Sequence, residues 1–146
     1  MTQEDKELLL KDLCARLPYE VKIELTWWVM GEGTYINVAL KPDHIEQLLN
    51  DEDGDIEIKP YLFPMSSMTE EEFTNLKEYS GLKYDQLDLA SFQNGTYKCL
   101  DFYLSEVPSG AVIRVFDWLN RYHFDYRDLI PMDLAIAVTK ENNPYE

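Results

Sequence analysis

The sequence predicts an α+β protein on three observations. Residues 21–29 alternate apolar and polar with period two, Thr69-Glu70-Glu71-Glu72 opens a helix as a capping box, and an apolar stripe of helical period runs through residues 109–122. Together they point to a mostly antiparallel sheet, built from a hairpin at residues 20–40 and strands near 56, 97 and 134. Helices starting at residues 2, 69 and 109 would pack against it. The chain has 146 residues, the size of one ordinary domain, and no repeat, low-complexity tract or linker divides it. Residues 1–146 are therefore read as a single globular domain.

Residues 2–17 read as an amphipathic helix whose inner face carries Leu10, Leu13, Cys14 and Leu17. Thr2 is its N-cap, with Asp5 three residues on, and acid-before-base pairs Glu7/Lys11 and Asp12/Arg16 stand four apart before Pro18 stops it. Val21, Ile23, Leu25, Trp27 and Val29 then form the buried face of a strand. The interruption at Gly31-Glu32-Gly33 and the β-rich run from Thr34 to Leu40 make a hairpin. Trp28 and Met30 fall on the charged face, so a second layer is expected to cover them, or else a ligand or partner.

A short helix starts at Pro42 and carries Ile45, Leu48 and Leu49. The acidic turn Asn50–Asp55 follows. Asp51, Asp53 and Asp55 alternate as oxygen ligands for a hard cation would, yet the glycine comes too early and no Glu stands at the required distance, so a solvated turn is the expectation. Ile56 and Ile58 make a third strand that Pro60 ends. In the helix from Thr69, Met68 and Phe73 can close as a hydrophobic staple, and Gly81 suits the left-handed position past its end. Residues 82–93 carry no clear pattern. Asn94-Gly95 is the dipeptide that a type I′ hairpin prefers, and Thr96 to Leu104 has strand composition. Ser109 caps the last helix, whose stripe is Val112, Val115, Phe116, Leu119 and Tyr122. Arg114, Asp117 and Arg121 form a solvated ladder opposite it. His123 to Asp128 turns the chain, and Leu134 to Val138 closes as a strand.

Composition bounds the function. Hydrophobic residues make up 45% of the chain and aromatics 13%, which marks a globular protein. Lys+Arg 13 against Asp+Glu 28 leaves a net charge of -15, which argues against direct binding of nucleic acid or of an anionic membrane and is better read as serving a basic partner or simple solubility. No apolar run is long enough to span a bilayer, and the acidic first residues do not resemble a secretory leader. Cys14 and Cys99 lack metal or redox spacing, so both are expected to be reduced, semi-buried thiols of a cytoplasmic protein.

The sequence holds no Walker loop, GxSxG, HExxH or Rossmann glycine pattern, and nothing in it calls for a cofactor. An enzyme would have to use His123, Asp125 and Arg127, two residues apart each, with Tyr126 between them. That spacing is not specific, and a histidine ending an amphipathic helix is commonly a C-cap.

Three segments carry a resemblance. Leu8 to Tyr19 (LLLKDLCARLPY), Ile58 to Glu72 (IKPYLFPMSSMTEEE) and Trp118 to Ile136 (WLNRYHFDYRDLIPMDLAI) resemble an uncharacterised family of small acidic proteins of gut anaerobic bacteria and their phages and mobile elements. That family offers no activity to carry over. At Asp128, Pro131, Met132 and Asp133 the chain departs from the glycines and Glu-Lys pair expected there, which argues against a shared catalytic role for the turn.

The expected function is accordingly that of a non-enzymatic interaction or regulatory protein. It would bind a basic partner through an acidic surface bearing aromatics, with Trp28, Tyr126 and Arg127 as candidate contacts. Two alternatives remain open: an acidic nucleic-acid mimic that occupies a host DNA- or RNA-binding protein, and a small hydrolase or transferase using His123, Asp125 and Arg127.

Overall fold

The computed structural model describes residues 1–28, 33–81, 88–96 and 109–146, and the chain is α+β. The described residues group into two compact units, Met1–Leu62 with Arg127–Glu146, and Phe63–Tyr126. Among them no helix is long and apolar enough to cross a membrane.

The first unit holds helices α1 (Gln3–Arg16) and α2 (Pro42–Asn50) and strands β1 (Lys22–Trp27), β2 (Gly33–Ala39), β3 (Ile56–Leu62) and β4 (Ile136–Ala137). The sheet order is β2-β1-β3-β4, antiparallel across the first three and parallel between β3 and β4. The hairpin, the third strand and the closing strand all form, although the last is only two residues long. Between Ile23 and Leu25 the hairpin register slips by one residue, and Asn37 sits in the left-handed region at φ 58. Asparagine tolerates that conformation, which a bulge commonly requires.

Pro60 does not end β3, as the sequence suggests; the strand runs through it to Leu62. The Trp28 amide donates to the Asp55 carbonyl at 3.0 Å, which makes that pair a hydrogen-bonded one. Counting alternate pairs along the ladder, Ile23 and Pro60 face each other as a non-hydrogen-bonded pair. The missing proline N–H therefore deprives β1 of nothing.

Helix α1 begins as expected, with Thr2 and Asp5 in a reciprocal capping box. Its inner face differs from the expectation by a rotation of about one residue. Leu9, Asp12, Leu13 and Arg16 are buried, whereas Cys14 is exposed. The reason is ionic: Asp12 and Arg16 satisfy each other and so can enter the core that Cys14 was expected to fill. Leu9 and Leu13 pack there with Ile45 and Leu48 of α2 and with Val21, Ile23, Leu25, Ile58 and Leu62 of the sheet. Cys99 lies outside the described residues.

The second unit is built on α3 (Glu70–Ser80), α4 (Leu89–Gln93) and α5 (Ser109–Arg121). The α3 capping box is present, with the Thr69 hydroxyl accepting from Glu72 N at 3.2 Å and the Glu72 carboxylate from Thr69 N at 2.9 Å. Gly81 takes the left-handed C-cap at φ 70. Met68, Leu76, Phe92, Val115, Trp118, Leu119 and Phe124 form this unit's core. The indole N–H of Trp118 donates to Asn75 Oδ1 at 3.0 Å, which lets a polar-tipped ring be fully buried.

Asn94-Gly95 does not form the expected hairpin turn. Asp88 caps α4 by accepting from Ser91, Phe92 anchors the helix in the core, and Asn94 is its C-cap. Gly95 follows at φ 84, while Asn94 Oδ1 accepts from Thr96 N. The dipeptide's tolerance of positive φ is thus used to end a helix. The strand expected over residues 96–104 falls, from residue 97 on, outside the described residues.

Candidate functional site

The turn after α5 is a helix terminus. His123 N donates to Asn120 O at 3.2 Å and Phe124 N to Leu119 O at 2.9 Å, the paired bonds of a Schellman motif, with His123 in its left-handed position at φ 65. Phe124 then enters the core beside Leu119. Phe63 N donates to His123 O at 2.8 Å and Asp125 N to Phe63 O at 2.9 Å, which makes Phe63 and Phe124 an isolated parallel bridge. His123 and Asp125 are 9% and 4% exposed, and neither lines either of the two clefts described below. Tyr126 donates from its hydroxyl to Asn120 Oδ1 at 2.9 Å and sets its ring against Phe116 at a tilt of 52°. These contacts fasten a corner.

Arg127 belongs to the first unit, where its Nη1 meets Asp12 Oδ1 at 3.0 Å. The other Asp12 oxygen takes Arg16 Nε at 2.8 Å, and Asp12 and Arg16 are both fully buried. Beside them the chain's end is tied in by Tyr145, whose hydroxyl donates to Tyr61 O at 2.7 Å and accepts from Lys22 N at 3.0 Å. Burial pushes the Tyr145 phenol far above the ordinary tyrosine range. The spacing of Asp12 and Arg16 is visible in the sequence as a helix-surface pair. Their placement inside would have followed from noticing that they flank Leu9 and Leu13 on one helical stripe.

The acidic turn is held by its own first carboxylate. Asp51 accepts from Asp55 N at 3.0 Å and from Ile56 N at 3.1 Å, while its carbonyl takes Lys6 Nζ at 2.8 Å. Gly54 supplies the positive φ, and Asp53 is exposed. Among the described residues no three of His, Cys, Asp and Glu stand grouped to hold a metal ion.

Two clefts flank this turn. The larger, about 870 Å³, has Trp28 on its wall, and the smaller, about 630 Å³, has Trp27. Adjacent residues at the end of β1 point to opposite faces, and Asp51 and Ile56 line both clefts. Trp27 is 36% and Trp28 47% exposed, so Trp27 does not belong to the buried face predicted for β1, and among the described residues no layer covers Trp28 fully; Val29 and Met30 lie outside the described residues. In the smaller cleft Asp43, Glu46, Asp51 and Asp55 surround Trp27, with no cation among the described lining residues. In the larger, Lys59 sits between Asp133 at 3.0 Å and Glu57 at 3.2 Å. Burial alone would lower this ammonium, but the two carboxylates outweigh it and hold it above the usual lysine range.

Of the three residues expected to make contacts, Trp28 is exposed while Tyr126 and Arg127 are partly buried in structural bonds. Sequence reading missed Trp27, Leu49 and Met132 as surface apolar groups. The Trp27-Trp28 pair was the available signal, since two neighbours in a strand cannot both face inward. Comparison with known protein families, curated proteins and solved structures finds no match.

Proposed function

We propose that this chain is a non-catalytic interaction protein that binds a basic protein partner through the acidic, tryptophan-bearing surface around the Asp51–Ile56 turn. The observation that carries the reading is the pair of clefts, each with an exposed tryptophan set among carboxylates, on a chain of net charge -15. Tryptophan is a common hot-spot anchor, and an acidic surround speeds encounter with a basic partner and selects for it. The histidine and aspartate that an enzyme would need are instead committed to a buried helix terminus and bridge. The exposed Cys14 thiol fits the reducing cytoplasm, which we take as the compartment.

The test is affinity capture of the tagged chain from its native host, run in parallel with a Trp27→Ala/Trp28→Ala variant. A basic protein recovered in stoichiometric amount with the parent and lost with the variant and at raised salt is the expected result. Recovery of nothing above background, or of the same protein with both baits, would refute the reading.

A further inference from the structure

We propose that the larger cleft seats an amphipathic basic segment of the partner, with apolar side chains on its floor and lysines or arginines toward its acidic rim. The proposal rests on the reading of the chain as an acidic interaction protein and specifies what it grips. Three apolar side chains from segments far apart in sequence converge on this cleft. They are Trp28 after β1, Leu49 in the last turn of α2 and Met132 in the turn before β4, at 47%, 58% and 42% exposure. Single exposed apolar residues need no explanation, whereas three drawn from separate segments into one cleft offer apolar contacts to an occupant. The floor beneath them is core, with Leu9, Leu48, Ile58 and Leu134 all buried.

The walls are held before any partner arrives. Trp28 N is bonded to Asp55 O at 3.0 Å, and Met132 lies inside a turn closed by Asp133 N on Ile130 O at 3.0 Å and Leu134 N on Leu129 O at 2.9 Å. Preorganisation of this kind lowers the ordering cost of binding. The charge of the rim selects the occupant. Among the described lining side chains, the five carboxylates of Asp5, Asp51, Glu52, Glu57 and Asp133 outnumber the ammonium groups of Lys6 and Lys59, and they still do when the Met1 ammonium is added. Lys6 donates to the Asp51 carbonyl and keeps its charge, and Lys59 pairs with Asp133 and Glu57, so the rim's net charge is negative because its carboxylates outnumber its ammonium groups. An anionic apolar ligand would meet repulsion there. A segment with apolar residues on one face and basic residues on the other meets complementary surfaces on both, in the helix-in-groove manner.

The probe is a synthetic Leu/Lys amphipathic helical peptide of about 14 residues, roughly four turns, titrated into the isotopically labelled full chain. Amide shifts should be confined to the cleft, around Leu9, Leu49, Ile56 and Met132. A Leu/Glu peptide of the same pattern should produce none, and a Ser/Lys peptide of equal charge should bind roughly tenfold or more weakly. Leu49→Ser with Met132→Ser should weaken Leu/Lys binding by a similar factor, and Trp28→Ala provides a second variant if the first melts early. Equal binding of the Ser/Lys peptide, shifts spread over the acidic surface, or unchanged binding by both variants would overturn the proposal. So would capture of a basic partner that depends on Trp27 and Trp28 but is indifferent to Leu49→Ser/Met132→Ser, which leaves the interaction reading standing without this seat.

Discussion

Asp12→Ala should be among the most damaging single substitutions in the first unit, although Asp12 lies on a helix whose sequence suggests a surface ladder. Both of its oxygens hold guanidinium groups, Arg16 at 2.8 Å and Arg127 at 3.0 Å, and Asp12 and Arg16 have no exposed surface. Removing one partner of a buried ion pair costs about 3–5 kcal/mol, because the remaining charge stays in a medium that no longer compensates it. For a chain of this length that corresponds to a fall in melting temperature of roughly 6–20 °C. Arg127→Met should cost less, about 1–3 kcal/mol, since it leaves the Asp12–Arg16 pair in place and its own side chain is partly exposed. The combined Asp12→Leu/Arg16→Met/Arg127→Leu variant should recover most of the loss, because apolar replacement of a buried ion network is often neutral. The assay is urea unfolding followed by far-UV circular dichroism, with the single and combined variants compared by midpoint at equal slope. A loss below about 1 kcal/mol for Asp12→Ala, the value of an exposed pair, would refute the argument.

Further outcomes follow from the same bonds. Tyr145→Phe strands the Lys22 amide and the Tyr61 carbonyl and should lower stability by about 1–3 kcal/mol in the same assay. Because burial raises the Tyr145 phenol, the unfolded chain ionises first; stability should be full below about pH 10 and fall as pH rises past it, less steeply in Tyr145→Phe. His44 is shifted the other way. Its Nδ1 accepts from Lys41 N at 3.0 Å, and burial, aided by the Lys41 charge, lowers its pKa. The unfolded chain therefore takes up the proton first as pH falls below about 6.5, and stability should drop there, with His44→Asn flattening the thermal-melt profile between about pH 7.5 and 5. Thr69→Ala removes one half of the α3 capping box and should cost about 1 kcal/mol, measured by thermal unfolding; no change would show that the box contributes nothing.

What could be read in advance was whatever depends on neighbours in sequence. The Thr2 and Thr69 boxes, the Gly81 terminus, the β1 alternation and the hairpin are local devices, and each is present. What could not be read depends on partners distant in sequence. Pro60 is tolerated because of the register that Trp28 and Asp55 impose on β3, and the second guanidinium that the buried Asp12 holds comes from Arg127, more than a hundred residues away. Asn94-Gly95 shows a different limit, for positive φ serves a helix end as well as a hairpin, and the choice was made by Phe92 packing into the core. The site followed the same division. His123 could be recognised as a helix cap from its position after the apolar stripe, whereas the convergence of Trp28, Leu49 and Met132 is a product of the tertiary fold.

That convergence is hard to explain by stability alone. Burying a tryptophan fully removes about 150–250 Å² from water, which at about 25 cal/mol per Å² is roughly 4–6 kcal/mol. Leaving Trp28 47% exposed forgoes about 2–3 kcal/mol of that, a sizeable share of the margin by which a domain is folded. The chain shows that it can bury such a ring when folding requires it, since Trp118 is enclosed completely and its N–H is met by Asn75. At the end of β1 it instead sets two tryptophans outward on opposite faces and fixes Trp28 by a backbone bond to Asp55. A partner that covered these rings would recover the forgone hydrophobic energy at the interface, which is what the proposed interaction asks of this surface.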